Sequence, residues 1–333
     1  MARLVDISYC VGITGVSPPF TCASRCKDFP TLELVSTWHT GALLSDSCGY
    51  IAVDHGLERA QDGDRPHEPA VVVAFRGTYS ITNTVVDLST VPQEYVPYPA
   101  PDNGTSGSKG RPEHKCVNCT VHAGFLASWR AARDVVLPHL KAVREKYPSY
   151  PVHLIGHSLG GAVAALAALE LRVSLGWEDV TATTFGEPMV GNEPFVAYLD
   201  EAFGLAEDDG YDADLEKRLY RRVTHAGDPV PLLPLEEWGF RSHGGEIHIA
   251  KSRLQPAPED LRLCRGDADP GCIAGADKGT ARLKLWQLFF AHRDYFWRLG
   301  LCLPGGDPWD WGRDRYNVSE SSDEFNDGYN DEL

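Results

Sequence analysis

Residues 152–169 read VHLIGHSLGGAVAALAAL and place Ser158 between glycines inside an apolar run. The β-branched residues before the serine predict a buried strand, and the alanine- and leucine-rich residues after it predict a helix. The pentapeptide 156–160 fits G-x-S-x-G, a sharp strand-to-helix turn that holds a nucleophilic serine at the top of a sheet. Gly156 and Gly160 have no Cβ, so the two backbones can approach at this turn. Ser158 is therefore predicted to be a nucleophile, with a simple helix N-cap as the alternative.

Other segments continue the alternation of strands and helices. Residues 70–77, AVVVAFRG, predict a strand buried on both faces inside a parallel sheet. Helices are predicted at the N-terminus, where Leu4, Ile7 and Val11 have helical spacing, and over 125–143, where a proline is expected to introduce a kink. Two more strands are predicted in VTATTFGEP and LYRRVTHAGDPVP. This order predicts an α/β fold, a doubly wound and mostly parallel central sheet with helices on both faces.

The composition predicts one folded domain followed by a tail. We expect the domain to span residues 1–303, with a surface loop over 92–121 and an acidic insert over 205–217. Residues 304–333 carry nine acidic side chains against two arginines, which predicts a disordered acidic tail. Its last residues, NDEL, resemble an endoplasmic-reticulum retrieval signal only loosely.

The net charge of −16 argues against nucleic acid as a partner, because binding to phosphates requires clustered Lys and Arg. It also disfavours a purely electrostatic attachment to anionic membranes. The longest apolar run, 159–169, is shorter than the roughly 18 residues of a membrane span. We therefore expect no transmembrane anchor.

Nine cysteines point to an oxidising compartment. Three close couples predict small disulfide loops, namely Cys22 with Cys26, Cys116 with Cys119, and Cys264 with Cys272. Cys10 could pair with Cys302, which would leave Cys48 free, and the alternative is a four-thiolate zinc site. Three N-x-S/T sequons, at Asn103, Asn118 and Asn317, agree with secretion. Residues 1–12 lack the apolar core of a signal peptide, so we expect a leader to be missing from this sequence.

A serine hydroxyl needs a base to remove its proton and an acid to orient that base. In this type of fold the order along the chain is Ser, then Asp or Glu, then His. Asp228 follows a predicted strand and is the predicted acid, with a turn-forming Asp-Pro as the alternative. His292, in LWQLFFAHRDYFW, is the predicted base. The alternatives are that it is a core histidine, or that His243 or His248 is the base.

An oxyanion hole requires two donors near the nucleophile. One is expected from the backbone N–H of Leu159, directly after the serine, and the other from the loop that follows an earlier strand. Thr78, in FRGT, is the candidate in that loop, with an ordinary turn residue as the alternative.

Several motifs together resemble the fungal class 3 lipases, which are secreted triacylglycerol lipases of filamentous fungi, and the related feruloyl esterases. They are FRGT, GHSLGGA, TTFGEPMVGN, HAGDPVPLLP and FFAHRDYFWRLGLC, and the resemblance covers about residues 2–303. It implies an α/β-hydrolase fold with Ser158, Asp228 and His292 as catalytic triad and Thr78 with Leu159 as oxyanion hole. It also implies the pairs Cys10–Cys302 and Cys116–Cys119, and no cofactor or metal. Pro229 departs from the apolar residue that commonly follows the acid in this family.

In such lipases the segment after FRGT is a mobile amphipathic lid, which here corresponds to residues 79–91. Thr84 stands where many members have a tryptophan, but four apolar residues remain, namely Ile81, Val85, Val86 and Leu88. This pattern favours a secreted triacylglycerol lipase that acts as a monomer at an oil–water interface. The alternatives are a feruloyl or short-chain esterase and a non-catalytic binding protein on the same scaffold.

Overall fold

A computed structural model describes residues 1–41, 46–57, 67–78, 92–95, 116–205, 215, 217–275 and 290–303. The predicted lid 79–91, most of the acidic insert 205–217 and the tail 304–333 lie outside these residues. The predictions made for those segments, including the division into a domain and a tail, therefore stay predictions.

Helices and short strands alternate along the described chain. The α-helices are α1 Ala2–Ser8, α2 Ala123–Lys146, α3 Leu159–Val173 and α4 Glu193–Phe203. The strands are β1 Val16–Ser17, β2 Thr21–Cys22, β3 Leu32–His39, β4 Cys48–Asp54, β5 Ala70–Phe75, β6 Pro92–Glu94, β7 Thr120–His122, β8 Val152–His157, β9 Val180–Phe185, β10 Gly191–Asn192, β11 Tyr220–His225, β12 Phe240–Arg241, β13 Glu246–Ile249, β14 Leu261–Leu263, β15 Asp294–Tyr295 and β16 Trp297–Arg298. Single 3₁₀ turns occupy Cys26–Asp28, Val230–Leu232, Glu236–Trp238, Pro258–Asp260 and Ile273–Gly275.

Eight strands form the central sheet, in the order β14-β13-β11-β9-β8-β5-β4-β3. The five from β5 to β13 run parallel, whereas β3, β4 and β14 join antiparallel at the two edges. The predicted mostly parallel α/β sheet is therefore confirmed. Strand β5 is parallel to β8 but antiparallel to β4, so only one of its two neighbours fits the prediction for residues 70–77. A short connection from β4 suffices for an antiparallel pair, while a parallel pair needs a longer crossover.

Helices cover both faces of this sheet, as predicted. Along β5, Val71, Val73 and Phe75 face the core that contains α2 and α3. Val72 and Ala74 face the opposite core, which contains α1. This alternation with a period of two is the normal pleat of a strand that is buried on both sides.

The predicted surface loop 92–121 begins and ends in strands. Strand β6 pairs with β7 through the partners Gln93 and Val121, and a small sheet continues to β10 and β12. Val121 is fully buried, and a buried backbone needs hydrogen-bond partners, which the strand pairing supplies. Helix α2 continues through Pro138 to its end at Lys146.

The predicted disulfides are all present in the described residues. Their partners are Cys10–Cys302, Cys22–Cys26, Cys116–Cys119 and Cys264–Cys272, and Cys48 is a buried free thiol. The alternative of a four-thiolate zinc site is wrong, because these sulfur atoms are bonded in pairs. Within the described part of the chain, no helix is long and apolar enough to cross a bilayer.

Candidate active site

The turn between β8 and α3 has the geometry of a nucleophile elbow. Ser158 adopts φ 58° and ψ −131°, a conformation that costs a non-glycine residue about 1–3 kcal/mol and persists only where neighbours enforce it. Its backbone N–H donates to the carbonyl of Phe185 at 2.9 Å, and its own carbonyl accepts from the N–H of Gly161 at 2.8 Å. The serine occupies the N-cap position of α3, but its side chain makes no capping bond.

Glycines make room for this turn. A Cβ on Gly156 would collide with the backbone of Gly160, and a Cβ on Gly160 would collide with the carbonyl of Phe75. At Gly77, a Cβ would lie 2.9 Å from the Cβ of Ser158 and 2.5 Å from the carbonyl oxygen of His157. The chain that leaves β5 therefore runs directly against the elbow, and only residues without a side chain fit there.

Asp228 and His292 form a buried carboxylate–histidine pair. Nδ1 of His292 lies 3.0 and 2.9 Å from the two carboxylate oxygens of Asp228, and both side chains are about 1 % exposed. The backbone N–H of Val230 donates to Oδ1 at 2.9 Å, and the hydroxyl of Tyr295 donates to Oδ2. The carboxylate is thus satisfied by donors on both oxygens, and it directs the Nδ1–H of His292 inward.

The other two histidines considered as bases have different partners. Nε2 of His243 lies 3.0 Å from the carboxylate of Glu187, and Nδ1 of His248 lies 2.9 Å from the hydroxyl of Thr224. These two rings bond to Glu187, Thr224 and the carbonyl of Gly244, and not to Asp228.

The end of β9 connects the serine to this pair. Phe185 accepts the hydrogen bond from the Ser158 N–H, and the next residue, Gly186, packs against Asp228 and His292. A Cβ on Gly186 would lie 3.0 Å from Oδ2 of Asp228 and 3.0 Å from Cε1 of His292. Among the described residues, Oγ of Ser158 and Nε2 of His292 are buried and have no hydrogen-bond partner. These are the two atoms that proton transfer in a triad would use.

His157 also belongs to this site, although the sequence did not indicate it. Its Nδ1 lies 2.6 Å from the hydroxyl of Tyr9, and its Nε2 lies 2.6 Å from the backbone carbonyl oxygen of His292. A carbonyl can only accept, so Nε2 carries the proton and Nδ1 accepts from the tyrosine. Burial, followed by the charge of His292, holds the pKa of His157 well below its ordinary value, so the ring is neutral.

Tyr295 is a second residue that sequence reasoning missed. Burial and the charge of Asp228 raise its pKa well above the ordinary value, so it remains a hydroxyl donor to that carboxylate. The residue lies in the same aromatic segment as His292, but an aromatic run gives no signal that one of its hydroxyls contacts a carboxylate 67 positions earlier.

The two predicted oxyanion donors, Leu159 and Thr78, belong to the two chain segments that meet at the elbow. Leu159 is the first residue of α3, where the helix dipole adds positive potential at the backbone N–H. Thr78 follows Gly77, where an added Cβ would lie 2.9 Å from the Cβ of Ser158. Both Thr78 and Leu159 are partly exposed. Leu159 is thus the chain neighbour of the candidate nucleophile, and Thr78 is the chain neighbour of a glycine that packs against it. Their role as oxyanion donors stays a prediction.

The described residues offer little to a metal ion. Glu246, Cys264 and Cys272 bring ligand-type atoms within 4.8 Å of one another. The two sulfur atoms are joined in a disulfide, however, so neither is available as a thiolate ligand.

Known proteins that are similar to this chain are lipases. Residues 72–238 match the family described as Lipase (class 3). The chain is 59 % identical to secreted mono- and diacylglycerol lipase 2 of Gibberella zeae, over 95 % of this chain and 84 % of that protein. It is 58 % identical to Lipase A of Sodiomyces alcalophilus, over 94 % and 83 %. The crystal structure of Lip2 lipase from Yarrowia lipolytica superposes with a TM-score of 0.74 at 31 % identity, covering 91 % of this chain and 93 % of that one. The chain therefore belongs to the class 3 lipase family.

Proposed function

We propose that this protein is a secreted carboxylic-ester hydrolase that acts on acylglycerols through a Ser158–His292–Asp228 triad. The observation that carries the proposal is the buried pair of Asp228 and His292 beside a serine in elbow geometry. Secretion is supported by four disulfides and by relatives that are named as secreted lipases.

In the first half of the reaction, Oγ of Ser158 attacks the ester carbonyl while Nε2 of His292 accepts its proton. Asp228 keeps the other ring nitrogen protonated and stabilises the imidazolium that forms. The oxyanion receives hydrogen bonds from the N–H of Leu159 and from Thr78. The imidazolium then protonates the departing alkoxide, which leaves an acyl ester on Ser158.

In the second half, His292 removes a proton from a water molecule that attacks the acyl carbonyl. The same oxyanion donors stabilise the second tetrahedral intermediate, and its collapse returns the proton to Oγ of Ser158. The fatty acid is released. In a comparable triad, replacing the orienting acid lowers kcat by about 10⁴-fold, so Asp228 is expected to be as necessary as the histidine that it holds.

The proposed substrates are acylglycerols. The relatives in Gibberella zeae and Penicillium camembertii are named mono- and diacylglycerol lipases, which favours acylglycerols over hydroxycinnamate esters. Action at an oil–water interface under a lid over 79–91, as predicted from the sequence, is part of the same proposal. So is activity as a monomer.

The triad is tested by labelling with a fluorophosphonate probe and by hydrolysis of monoolein, diolein and triolein emulsions and of methyl ferulate. We expect Ser158→Ala to lose both the label and the acylglycerol hydrolysis. Ser174→Ala is the matched control, because the Ser174 Oγ is also buried with no partner among the described residues but lies at the far end of α3. Labelling that persists in Ser158→Ala would remove Ser158 from the mechanism. Faster turnover of methyl ferulate than of every acylglycerol would instead favour an esterase.

A further inference from the structure

We propose that Asn118 is an N-linked glycosylation site whose occupancy is limited by the disulfide that closes around it. The residues Asn118, Cys119 and Thr120 form an N-x-T sequon. The proposal rests on the secretory route of the proposed function but not on its chemistry. It concerns a surface turn outside the catalytic residues.

The turn presents Asn118 to solvent. Asn118 is exposed and adopts φ 60°, a left-handed conformation that asparagine tolerates better than most residues. Its neighbour Val117 is 71 % exposed, so an apolar side chain stands in water beside the sequon. A glycan on Asn118 would extend away from the fold and cover this valine without displacing any buried group.

The same turn is rigid once the protein has folded. The Cys116–Cys119 disulfide joins two cysteines that are 3 positions apart in the chain. Its second cysteine is the middle residue of the sequon. The side chain of Asn192 makes two hydrogen bonds to this turn. Its Nδ2 donates to the carbonyl of Asn118 at 2.8 Å, and its Oδ1 accepts from the N–H of Thr120 at 2.9 Å. Thr120 is also paired with Glu94 in the ladder between β6 and β7.

This rigidity sets the order of events. An oligosaccharyltransferase must bind the asparagine amide together with the threonine hydroxyl two residues later. A closed disulfide loop joined to a strand cannot rearrange to present both groups, so the transfer must precede loop closure. Sugar transfer and disulfide formation therefore compete for the same short segment.

The chemical step is a displacement at the anomeric carbon of a lipid pyrophosphate-linked oligosaccharide. Nδ2 of Asn118 attacks that carbon, a C–N bond forms, and the C–O bond to the pyrophosphate breaks. The amide loses one proton to the transferase, and the lipid pyrophosphate departs with the electron pair of the broken bond. No oxidant or reductant is involved.

The experiment measures the occupancy of each sequon in the full chain expressed in a secreting fungal host. Peptides from cell extract and medium are treated with a glycan-releasing amidase in H₂¹⁸O, which converts each glycosylated asparagine to labelled aspartate. Asn103, in a sequon without cysteine, serves as the internal reference. We expect partial label at residue 118, and complete loss of that label in Asn118→Gln and Thr120→Val.

Two further variants test the competition. Cys116→Ser and Cys119→Ser both prevent loop closure and both keep an N-x-T sequon, so we expect each to raise the labelled fraction at Asn118 and to leave that at Asn103 unchanged. Absence of label at Asn118 in the wild type and in both variants would overturn the site. Equal label in all three would overturn the competition. Lipase activity of Asn118→Gln should equal that of the wild type, so this result is separable from a failure of the proposed triad.

Discussion

Nε2 of His157 donates a hydrogen bond to the backbone carbonyl oxygen of His292 across 2.6 Å. The residue that precedes the proposed nucleophile thus holds the backbone of the proposed base. Tyr9 satisfies the other ring nitrogen at 2.6 Å, and burial keeps the ring neutral. Nε2 is therefore always the donor in the hydrogen bond to His292. His157 therefore holds the backbone of His292 in place relative to the elbow.

We expect His157→Phe to lower kcat by roughly 10- to 100-fold, because an unsatisfied buried acceptor costs about 1–3 kcal/mol and frees the His292 backbone to move. His157→Gln retains a side-chain N–H near the position of Nε2 and should keep more activity. Both variants are compared with the wild type in kcat, KM and unfolding midpoint on an aryl ester. An unchanged kcat in folded His157→Phe would show that this hydrogen bond does not position the base.

Gly77 provides a steric test of the elbow. Gly77→Ala would place a methyl group 2.5 Å from the hydroxyl of Tyr9 and 2.9 Å from the Cβ of Ser158. Overpacking of this kind costs about 1–3 kcal/mol, so we expect a lower unfolding free energy and a loss of activity that exceeds the loss of folded protein. Gly244→Ala is the control, since its nearest heavy atom is the Cβ of Leu205 at 3.2 Å. Equal behaviour of the two variants in urea unfolding and ester hydrolysis would contradict the packing argument.

Thr78 tests the oxyanion hole. We expect Thr78→Val, which removes the hydroxyl while keeping the shape, to lower kcat on the order of 10²-fold with little change in KM. Thr78→Ser keeps the hydroxyl and should retain most of the rate. If Thr78→Val matches the wild type, the backbone N–H alone serves as the second donor.

Much of this site could be predicted because Thr78, Ser158 and Asp228 each follow a recognisable strand. The β-branched runs of β5 and β8 mark the two strands that flank Ser158, and the chain order of serine, acid and histidine selected Asp228 and His292. His157 and Tyr295 could not be selected in this way. Tyr9 and His157 are 148 residues apart, so their contact depends on how α1 packs against the sheet and not on any local pattern.

Edge strands of the central sheet and of the small sheet were also missing from the prediction. Strand β3 alternates irregularly between buried and exposed residues, because it has a neighbour on one side only and a register shift between Leu34 and Ser36. Strand β6 has three residues and gains its stability from pairing with β7. Such strands carry too few apolar residues to be recognised without their partners.

Buried and half-buried histidines should make the unfolding free energy depend on pH. Burial lowers the pKa of four of them, His153, His157, His225 and His248, below the value of 6.5 in the unfolded chain. The unfolded state therefore binds protons more strongly, so this contribution to stability is complete above pH 6.5 and is lost as the pH falls towards the folded-state values. For His153 that folded-state value is about 4.

The prediction is checked by urea unfolding of the wild type and of His153→Gln over this pH range. We expect the wild type to lose more stability than the variant between pH 6.5 and the folded-state pKa of about 4. The comparison is needed because the raised pKa values of Asp6, Glu170 and Asp200 act in the opposite direction in both proteins. Parallel pH profiles would contradict the assignment of His153 as a neutral, half-buried group.

The disulfide that closes the longest loop should contribute more to stability than one that closes a short loop. Cys10 and Cys302 are separated by 292 positions, whereas Cys22 and Cys26 are separated by 4. Removing a native disulfide costs about 2–5 kcal/mol, and the cost rises with the length of the closed loop when chain entropy dominates. We expect the double variant Cys10→Ser/Cys302→Ser to lower the melting temperature more than Cys22→Ser/Cys26→Ser. The reverse order in calorimetry would show that strain or local packing decides these contributions.

The Cys10–Cys302 bond also makes the intervening chain a covalent ring. A protease outside the cell that cuts one peptide bond within this ring produces a nicked molecule whose two fragments remain attached. The fragments separate on a gel only after reduction, and the sheet still holds them in register. A secreted enzyme with this bond thereby tolerates a first cut without losing half of its proposed catalytic residues.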